Sequence, residues 1–184
     1  MPRILITTSH RPTKTTRRFV KILSLIIPGS INITRGKYTM TALTLQAIDI
    51  GAENIVIVRN RKGNPGYIDV YSINIASLIP SKVCSIRICG YKIIENSRYG
   101  FNYNRIFFLE SNLIKTYIDE RLLACIFKCF NINISSRNAC MDKRTLEAHI
   151  ESLSKDTAYE LSFRDCKGNL KGLVLKICPV RTTR

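Results

Sequence analysis

The feature that most constrains the fold is an alternation of short apolar segments with helical patterns along residues 3–75. Residues 3–8 (RILITT) form a largely apolar run of the length expected for a buried strand. Pro12 then breaks the chain, and Thr13 is a suitable helix cap. Over residues 14–27, apolar side chains recur at helical spacing, which predicts an amphipathic helix. This order of elements indicates an α/β protein.

The alternation continues beyond the first helix. Further strands are predicted at residues 30–34, 54–60 and 67–73, and a second helix opens at Thr39 or Thr41 and closes at Gly51. The turn at residues 61–66 (RKGNPG) is rich in residues that permit a tight reversal. The first part is therefore predicted to be a βαβαββ unit.

Short strings from this unit recur, in the same order, in the second part of the chain. The pairs are RILITTS at Arg3 with RIFFLES at Arg105, INIT at Ile31 with INIS at Ile132, TLQA at Thr44 with TLEA at Thr145, and RNRKGN at Arg59 with RDCKGN at Arg164. Each match alone is no better than chance, but four in one order predict a tandem duplication with an offset of 101 to 105 residues. We expect the turn at Lys62 to be equivalent to the turn at Lys167, and a long helix over residues 112–130.

The two parts are expected to belong to one domain. Residues 1–184 form this domain, with halves 1–75 and 101–184 joined by a connector, 76–100, that contains one alternating strand at 83–89. With 184 residues and 45% hydrophobic content, the chain is long and apolar enough to bury a core.

The charge of the chain points to an acidic partner. Lys and Arg number 29 against 13 acidic residues, a formal net charge of +16, and such an excess increases self-repulsion in the compact state. Nucleic acid and an anionic membrane are the two obvious partners. The longest apolar run, ILSLII, is far shorter than the roughly 20 residues of a membrane-spanning helix, and the N-terminus lacks a signal-peptide pattern. We therefore expect a cytoplasmic protein without membrane contact.

The cysteines predict neither disulfides nor a metal site. Seven cysteines, an odd number, occur without a secretory signal, which favours free thiols in a reduced setting. Cys125 and Cys129 stand four apart, but zinc would need two further ligands, and the chain has only His10 and His149. We expect no metal and no cofactor.

The Lys14-Thr15 pair looks like the end of a nucleotide-binding P-loop, but the segment lacks the rest of one. A P-loop needs glycines at the spacing GxxxxGK[ST], so that backbone N–H groups can approach phosphate. Residues 7–16 contain no glycine, and Arg11 and Pro12 stand where the loop would have to be thin. The spacing excludes a P-loop.

The segment instead carries cations without acidic neighbours. On the first helix these are Lys14, Arg17, Arg18 and Lys21, whose spacing places them on one side, opposite the apolar stripe. Arg11 precedes them, and no Asp or Glu occurs before Asp49. Up to Lys62 the net charge is +9, against +5 from residue 101 onward. A solvated basic face without a ligand remains the alternative to an anion-binding surface.

Two loops add further candidates for anion binding. These are Arg35 and Lys37 in TRGKY, and Arg59, Arg61 and Lys62 in VRNRKGNPG. Arginine offers bidentate donors to phosphate, whereas lysine acts as a point charge. Tyr38 and Tyr67 flank these loops, where they could stack on unpaired bases or cap an edge of the core. The loop after the first strand and the hairpin turn can share a rim, and the strand order decides whether TRGKY joins them.

Three segments carry a resemblance to a known family: ILITTSHRPTKTTRR, IPGSINITRGK and GAENIVIVRNRKGNPG. In order and spacing, over residues 3–75, they resemble the archaeal members of the Brix-domain family of ribosome-biogenesis proteins. The family pattern runs I-L-[IV]-T-T-S, R-P, a basic helix, P-x-[AS], R-G-K, G-A-[DE] and a basic G-N-P-G turn. Beyond residue 100 the resemblance is mostly architectural.

The resemblance implies a fold and a function. Brix domains consist of two duplicated α/β halves and are similar to the anticodon-binding domains of class IIa aminoacyl-tRNA synthetases. They act in ribosomal RNA processing and subunit assembly without known catalytic activity. The chain is therefore expected to bind ribosomal RNA through the basic residues named above, and to be a monomer when free. Eukaryotic relatives usually work with a protein partner, so a ribosome-assembly protein is a candidate partner.

Two alternatives remain open. An RNA-modifying or RNA-cleaving enzyme would need a histidine or paired carboxylates near the RNA, and His10 is the only such candidate in the basic loop. A protein-binding scaffold would not need the cations at all. Salt-sensitive RNA binding separates RNA recognition from the scaffold, and chemical change of the bound RNA would identify an enzyme.

Overall fold

Ten strands form one sheet, in a computed structural model that describes residues 3–94, 103–114, 118–136, 140, 142–154 and 158–178. The strands are β1 (Arg3–Thr8), β2 (Ser30–Asn32), β3 (Ala52–Arg61), β4 (Asn64–Ser72), β5 (Ser81–Ile94), β6 (Arg105–Leu109), β7 (Ile132–Ser135), β8 (Thr145–Ser154), β9 (Ala158–Arg164) and β10 (Leu170–Cys178). The helices are α1 (Lys14–Ile26), α2 (Met40–Asp49), α3 (Glu110–Ile114) and α4 (Glu120–Phe130). The sequence-based prediction of βαβαββ for the first part is confirmed.

The sheet is mixed, with the order β2-β1-β3-β4-β5-β10-β9-β8-β6-β7. Strand β1 runs parallel to β2 and β3, and β6 runs parallel to β7 and β8. The remaining pairs are antiparallel, including β5 with β10 at the centre. The predicted α/β class is therefore correct, and the interval between the two halves contains a strand at the middle of the sheet.

Helices cover the two faces of the sheet unequally. Alternate residues of a strand point to opposite faces, so Ile4 and Leu5 of β1 belong to different cores. The larger core holds the buried residues of α1 and α4 against strands from both halves. The smaller core lies under α2. Helix α1 also reaches β10, where a side chain at Gly172 would collide with Ile26. The first half therefore packs directly on the second.

Three expectations for the second half were wrong. TLQA lies in α2, whereas TLEA lies in β8, because a string of only four residues fits either element and its tertiary contacts decide which one forms. The turn at Lys62 joins β3 to β4, but Lys167 lies between β9 and β10, so these turns are not equivalent. In place of one long helix there are α3 and α4. Ile118 is not helical, and Asp119 caps α4 by accepting from the Leu122 N–H at 2.9 Å.

Six of the seven cysteines are paired, which corrects the prediction of free thiols. The disulfides are Cys84–Cys125, Cys89–Cys178 and Cys140–Cys166, with Cα–Cα distances of 5.9, 5.9 and 5.3 Å. Cys129 is free and buried, and burial raises the pKa of its thiol. The partners lie 26 to 89 residues apart in sequence. Strand pairing and helix packing bring them together, so their spacing along the chain contained no signal.

Within the described part of the chain, no helix is long and apolar enough to cross a membrane. Among the same residues, no group of three or more His, Cys, Asp or Glu side chains is arranged to hold a metal ion.

Candidate nucleic-acid interface

The loop between β1 and α1 is hydrogen-bonded to the β3–β4 hairpin. Thr13 Oγ1 donates to the Gly63 carbonyl at 2.8 Å, and Asn60 Nδ2 donates to the Arg11 carbonyl at 3.2 Å. Thr16 Oγ1, which is buried, donates to Asn60 Oδ1 at 2.6 Å. These bonds hold the two basic segments side by side, as expected from a shared rim.

The hairpin turn presents its cations outward. Lys62 and Gly63 both have positive φ, +49° and +81°, which is the pattern of a type I′ turn. Arg61, the last residue of β3, and Lys62, the first residue of the turn, are both exposed. A side chain at Gly66 would collide with Arg61, so glycine there permits the close approach of the two strands. The turn geometry thus places two cations beside the start of α1.

Thr13 has two roles, and a comparison with Thr39 can separate their contributions to stability. Its hydroxyl caps α1 by accepting from the Thr16 N–H at 3.2 Å, and it also donates to the hairpin. Thr39 caps α2 at 3.1 Å, and its described bonds include none to another element. We expect Thr13→Ala to lower the free energy of unfolding by about 2 kcal/mol and Thr39→Ala by about 1 kcal/mol, measured by urea denaturation. Equal losses would show that the hairpin bond contributes nothing.

The TRGKY loop joins the same rim from the other side of β1. Strand β1 lies between β2 and β3 in the sheet. Just after β2, the Ile33 carbonyl accepts a hydrogen bond from Thr7 Oγ1 at 2.9 Å. Arg35 Nη2 lies 3.3 Å from His10 Nε2, which connects this loop to the one after β1. The strand order therefore brings all three basic segments together.

Arg35 itself does not lie on the surface. It is 5% exposed, its Nη1 lies 3.4 Å from the Met40 sulfur, and its Nε is buried with no partner among the described residues. Burial lowers the pKa of Arg35 from its usual value. Arg35, which the sequence analysis placed among the RNA-binding residues, is thus a buried group that contacts His10 and not a surface cation. Lys37, two residues later, is exposed.

Arg59 is held by a carboxylate that the sequence did not connect with it. Its guanidinium makes an ion pair with Asp69, whose side chain is only 1% exposed, and lies 4.6 Å from the centre of the Tyr67 ring. Asp69 also accepts from Lys82 Nζ at 2.8 Å and Ser85 Oγ at 2.6 Å. Burial alone would raise the pKa of Asp69, but these hydrogen bonds outweigh it and the pKa lies below its usual value. Arg59 is therefore engaged with both Asp69 and Tyr67.

The remaining candidates lie at the surface. The exposed cations are Arg11, Lys14, Arg17, Arg18, Lys21, Lys37, Arg61 and Lys62. The opposite side of α1 is buried at Thr16, Phe19, Val20, Leu23 and Ile26, so the predicted division of this helix into a basic and an apolar side is confirmed. Tyr38 is 44% exposed beside the TRGKY loop.

Two residues at the candidate interface, Asn60 and Arg87, were not among the RNA-binding residues predicted from the sequence. Asn60 links the loop to the hairpin, but a single amide in a strand has no pattern that marks it. Arg87 lies in β5 opposite Tyr67, next to the hairpin. It falls within the segment interpreted as a connector, so its proximity to the basic loops could not be read from the chain.

The fold and this surface define a class: an α/β protein in which one rim of the sheet gathers exposed cations. A crystal structure of a probable ribosomal biogenesis protein from Aeropyrum pernix aligns over 98% of both chains, with 31% identity and a TM-score of 0.77. This chain belongs to the Brix-domain family of ribosomal biogenesis proteins. Mil, an archaeal Imp4-like protein, shares the fold, with a TM-score of 0.66 and 18% identity over 95% of this chain and 97% of that one.

Sequence relatives carry the same family name over shorter segments. A probable Brix domain-containing ribosomal biogenesis protein of Aeropyrum pernix is 42% identical over 95 residues, 52% of each chain. One from Pyrococcus horikoshii is 50% identical over 62 residues, 34% of this chain and 28% of the relative. The matched segments thus span about half or less of these curated relatives. No protein-family model matches the sequence.

Proposed function

We propose that this chain is a ribosome biogenesis factor that binds ribosomal RNA, assists pre-rRNA processing and subunit assembly, and performs no chemistry on the RNA. The observation that carries the proposal is the hydrogen-bonded union of the β1–α1 loop with the β3–β4 hairpin. It places exposed cations from two distant segments on one rim. The names of the relatives, which are probable ribosomal biogenesis proteins, support the same role.

Phosphate recognition suits the chemistry of this rim. No acidic residue precedes Asp49 in the sequence, so the cations of α1 have no carboxylate neighbours on their own element. Asp69, the carboxylate nearest the hairpin cations in sequence, is buried and already bonded to Arg59, Lys82 and Ser85. Lys14, Arg17 and Lys21 are exposed on this helix, and a polyanion that bound them would release its counterions.

A non-catalytic role agrees with the surroundings of His10. Its Nε2 lies 3.3 Å from Arg35 Nη2, and a guanidinium can only donate, so this nitrogen acts as an acceptor. Among the residues that the structure describes, no carboxylate contacts His10 to complete an acid–base pair. The histidine thus orients the TRGKY loop in this proposal.

Further expectations belong to the same proposal. The halves derive from a tandem duplication, which is supported by the equal strand orders β2-β1-β3-β4-β5 and β7-β6-β8-β9-β10 counted from the two edges. The domain spans residues 1–184 and resembles class IIa anticodon-binding domains. The protein acts in the cytoplasm, is a monomer when free, and meets a ribosome-assembly protein on its RNA.

The test is the binding of purified protein to pre-rRNA transcripts over a series of salt concentrations. We expect log Kd to change linearly with log salt, with a slope of about 0.7 per phosphate neutralised on single strands. The transcripts are then recovered and should be unchanged in length and mass. Salt-independent binding would refute the phosphate mechanism, and shortened or modified RNA would identify an enzyme.

A further inference from the structure

A groove opens between the β3–β4 hairpin and the far part of β5. It has a volume of about 700 Å³ and is lined by Arg61, Lys62 and Arg87, with no acidic residue among the described lining. Gly66 and Gly90 line it as well, so little side-chain bulk narrows it there. Because Arg61 and Lys62 belong to the hairpin turn, the groove is continuous with the rim proposed to bind RNA.

Arg87 at the groove makes no ion pair with any residue that the structure describes. Its Nε is buried without a hydrogen-bond partner among the described residues. Asp69, on the neighbouring strand, already receives Arg59, Lys82 and Ser85. A buried donor left unsatisfied costs free energy and calls for an explanation. An anion in the groove would supply the missing charge.

The backbone of β5 adds further capacity for polar contacts. Pairing with β4 ends at Tyr67 opposite Arg87, whereas β5 continues to Ile94 alongside β10. Beyond Arg87, the described ladder therefore has a partner on one side of β5 only. The Cys89–Cys178 disulfide ties this stretch to β10, so the wall of the groove is held in place before a ligand binds.

The remaining walls favour a nucleotide over an acidic side chain. Tyr91 lines the groove, and its ring packs edge-on against Phe19 with centroids 5.2 Å apart. A held aromatic ring offers apolar surface to a sugar or a base, which an acidic peptide does not need. Unpaired bases can leave the strand and stack on an aromatic side chain, whereas bases inside a duplex are already paired and stacked.

We infer that this groove is a subsite for one unpaired nucleotide of the bound RNA, with its phosphodiester held by Arg87, Arg61 and Lys62. The inference rests on the proposed RNA-binding function and adds a preference for single-stranded RNA to it. Arg87 thereby joins the interface as a contact to phosphate.

The test compares Arg87→Gln with Arg164→Gln. Arg164 is a matched control because its Nε is also buried without a partner, in β9 and away from the groove. Binding of a single-stranded and a duplex RNA of equal length is measured by fluorescence anisotropy. We expect Arg87→Gln to weaken single-strand binding roughly tenfold and to lower the salt slope by roughly 0.7, with less than a twofold change for Arg164→Gln. Arg87→Lys should retain the slope.

Several outcomes would overturn the subsite. Unchanged single-strand binding by Arg87→Gln, or the same loss in both Gln variants, removes it while leaving the proposed function in place. Equal losses on duplex and single strand remove the strand preference. Displacement of the RNA by poly-glutamate at equal charge concentration would assign the groove to an acidic peptide. Wild-type protein that shows no salt-dependent RNA binding refutes the proposed function as well. Thermal unfolding confirms that each variant is folded.

Discussion

Reversing Arg17 and Lys21 to glutamate is expected to weaken RNA binding on the order of 1,000-fold at low salt. Both side chains are exposed, and they lie four residues apart on the basic side of α1. A water-exposed ion pair at contact gives about 1 kcal/mol, and reversal replaces this attraction by repulsion of similar size. Each change therefore costs about 2 kcal/mol, or about a factor of 30 in Kd, and the two costs add to about 4 kcal/mol. Anisotropy titrations over a salt series measure both the loss and the smaller slope.

The matched control reverses two cations on α4, Arg121→Glu and Lys128→Glu. These side chains are also exposed on a helix, but α4 packs on β4, β5 and β7. We expect less than a threefold loss from this variant. Both doubles should unfold near the wild-type temperature because the buried sides of the helices are untouched. Equal losses from the two variants would mean that binding follows net charge alone.

Removing the Cys89–Cys178 disulfide by a double change to alanine is expected to lower Tm by roughly 10–20 °C. The bond closes a segment of 89 residues, and the loss of unfolded-state entropy from such a loop corresponds to roughly 4 to 5 kcal/mol. In a chain of this size, each kcal/mol shifts Tm by about 2–4 °C. The Cys140–Cys166 bond spans only 26 residues, so its removal should have a smaller effect. Differential scanning calorimetry with and without reductant provides the measurement.

Cys129→Ala serves as the control, because Cys129 is buried but forms no disulfide. Its effect should be about 1 kcal/mol, from lost packing only. Alkylation of denatured, unreduced protein should label one cysteine, and reduction should expose six more. Labelling of all seven without reductant would show that the bonds do not form in solution.

The first half of the fold was predictable because its signals are local. The caps at Thr13 and Thr39, the apolar stripe of α1 and the turn at Lys62 all act within a few residues of chain. The fold of the second half was harder to predict from the sequence. Its matching strings were too short to specify an element, and TLEA became strand β8 because its neighbours β6 and β9 pair with it there.

The candidate site shows the same division. Exposure of the α1 cations followed from helical periodicity, since a helix with one apolar side must present the other to solvent. Burial of Arg35 and the pairing of Arg59 with Asp69 did not follow, because they depend on which side chains the sheet brings opposite one another.

The sequence by itself determined the α/β class, the βαβαββ order of the first half, the charge asymmetry and the family. Each of these is carried by composition or by residues close together along the chain. The tertiary structure alone decided the central β5–β10 pairing, the three disulfides, the union of loop and hairpin through Asn60, and the groove at Arg87. These features join residues tens of positions apart, and only the packing of strands and helices chooses such partners.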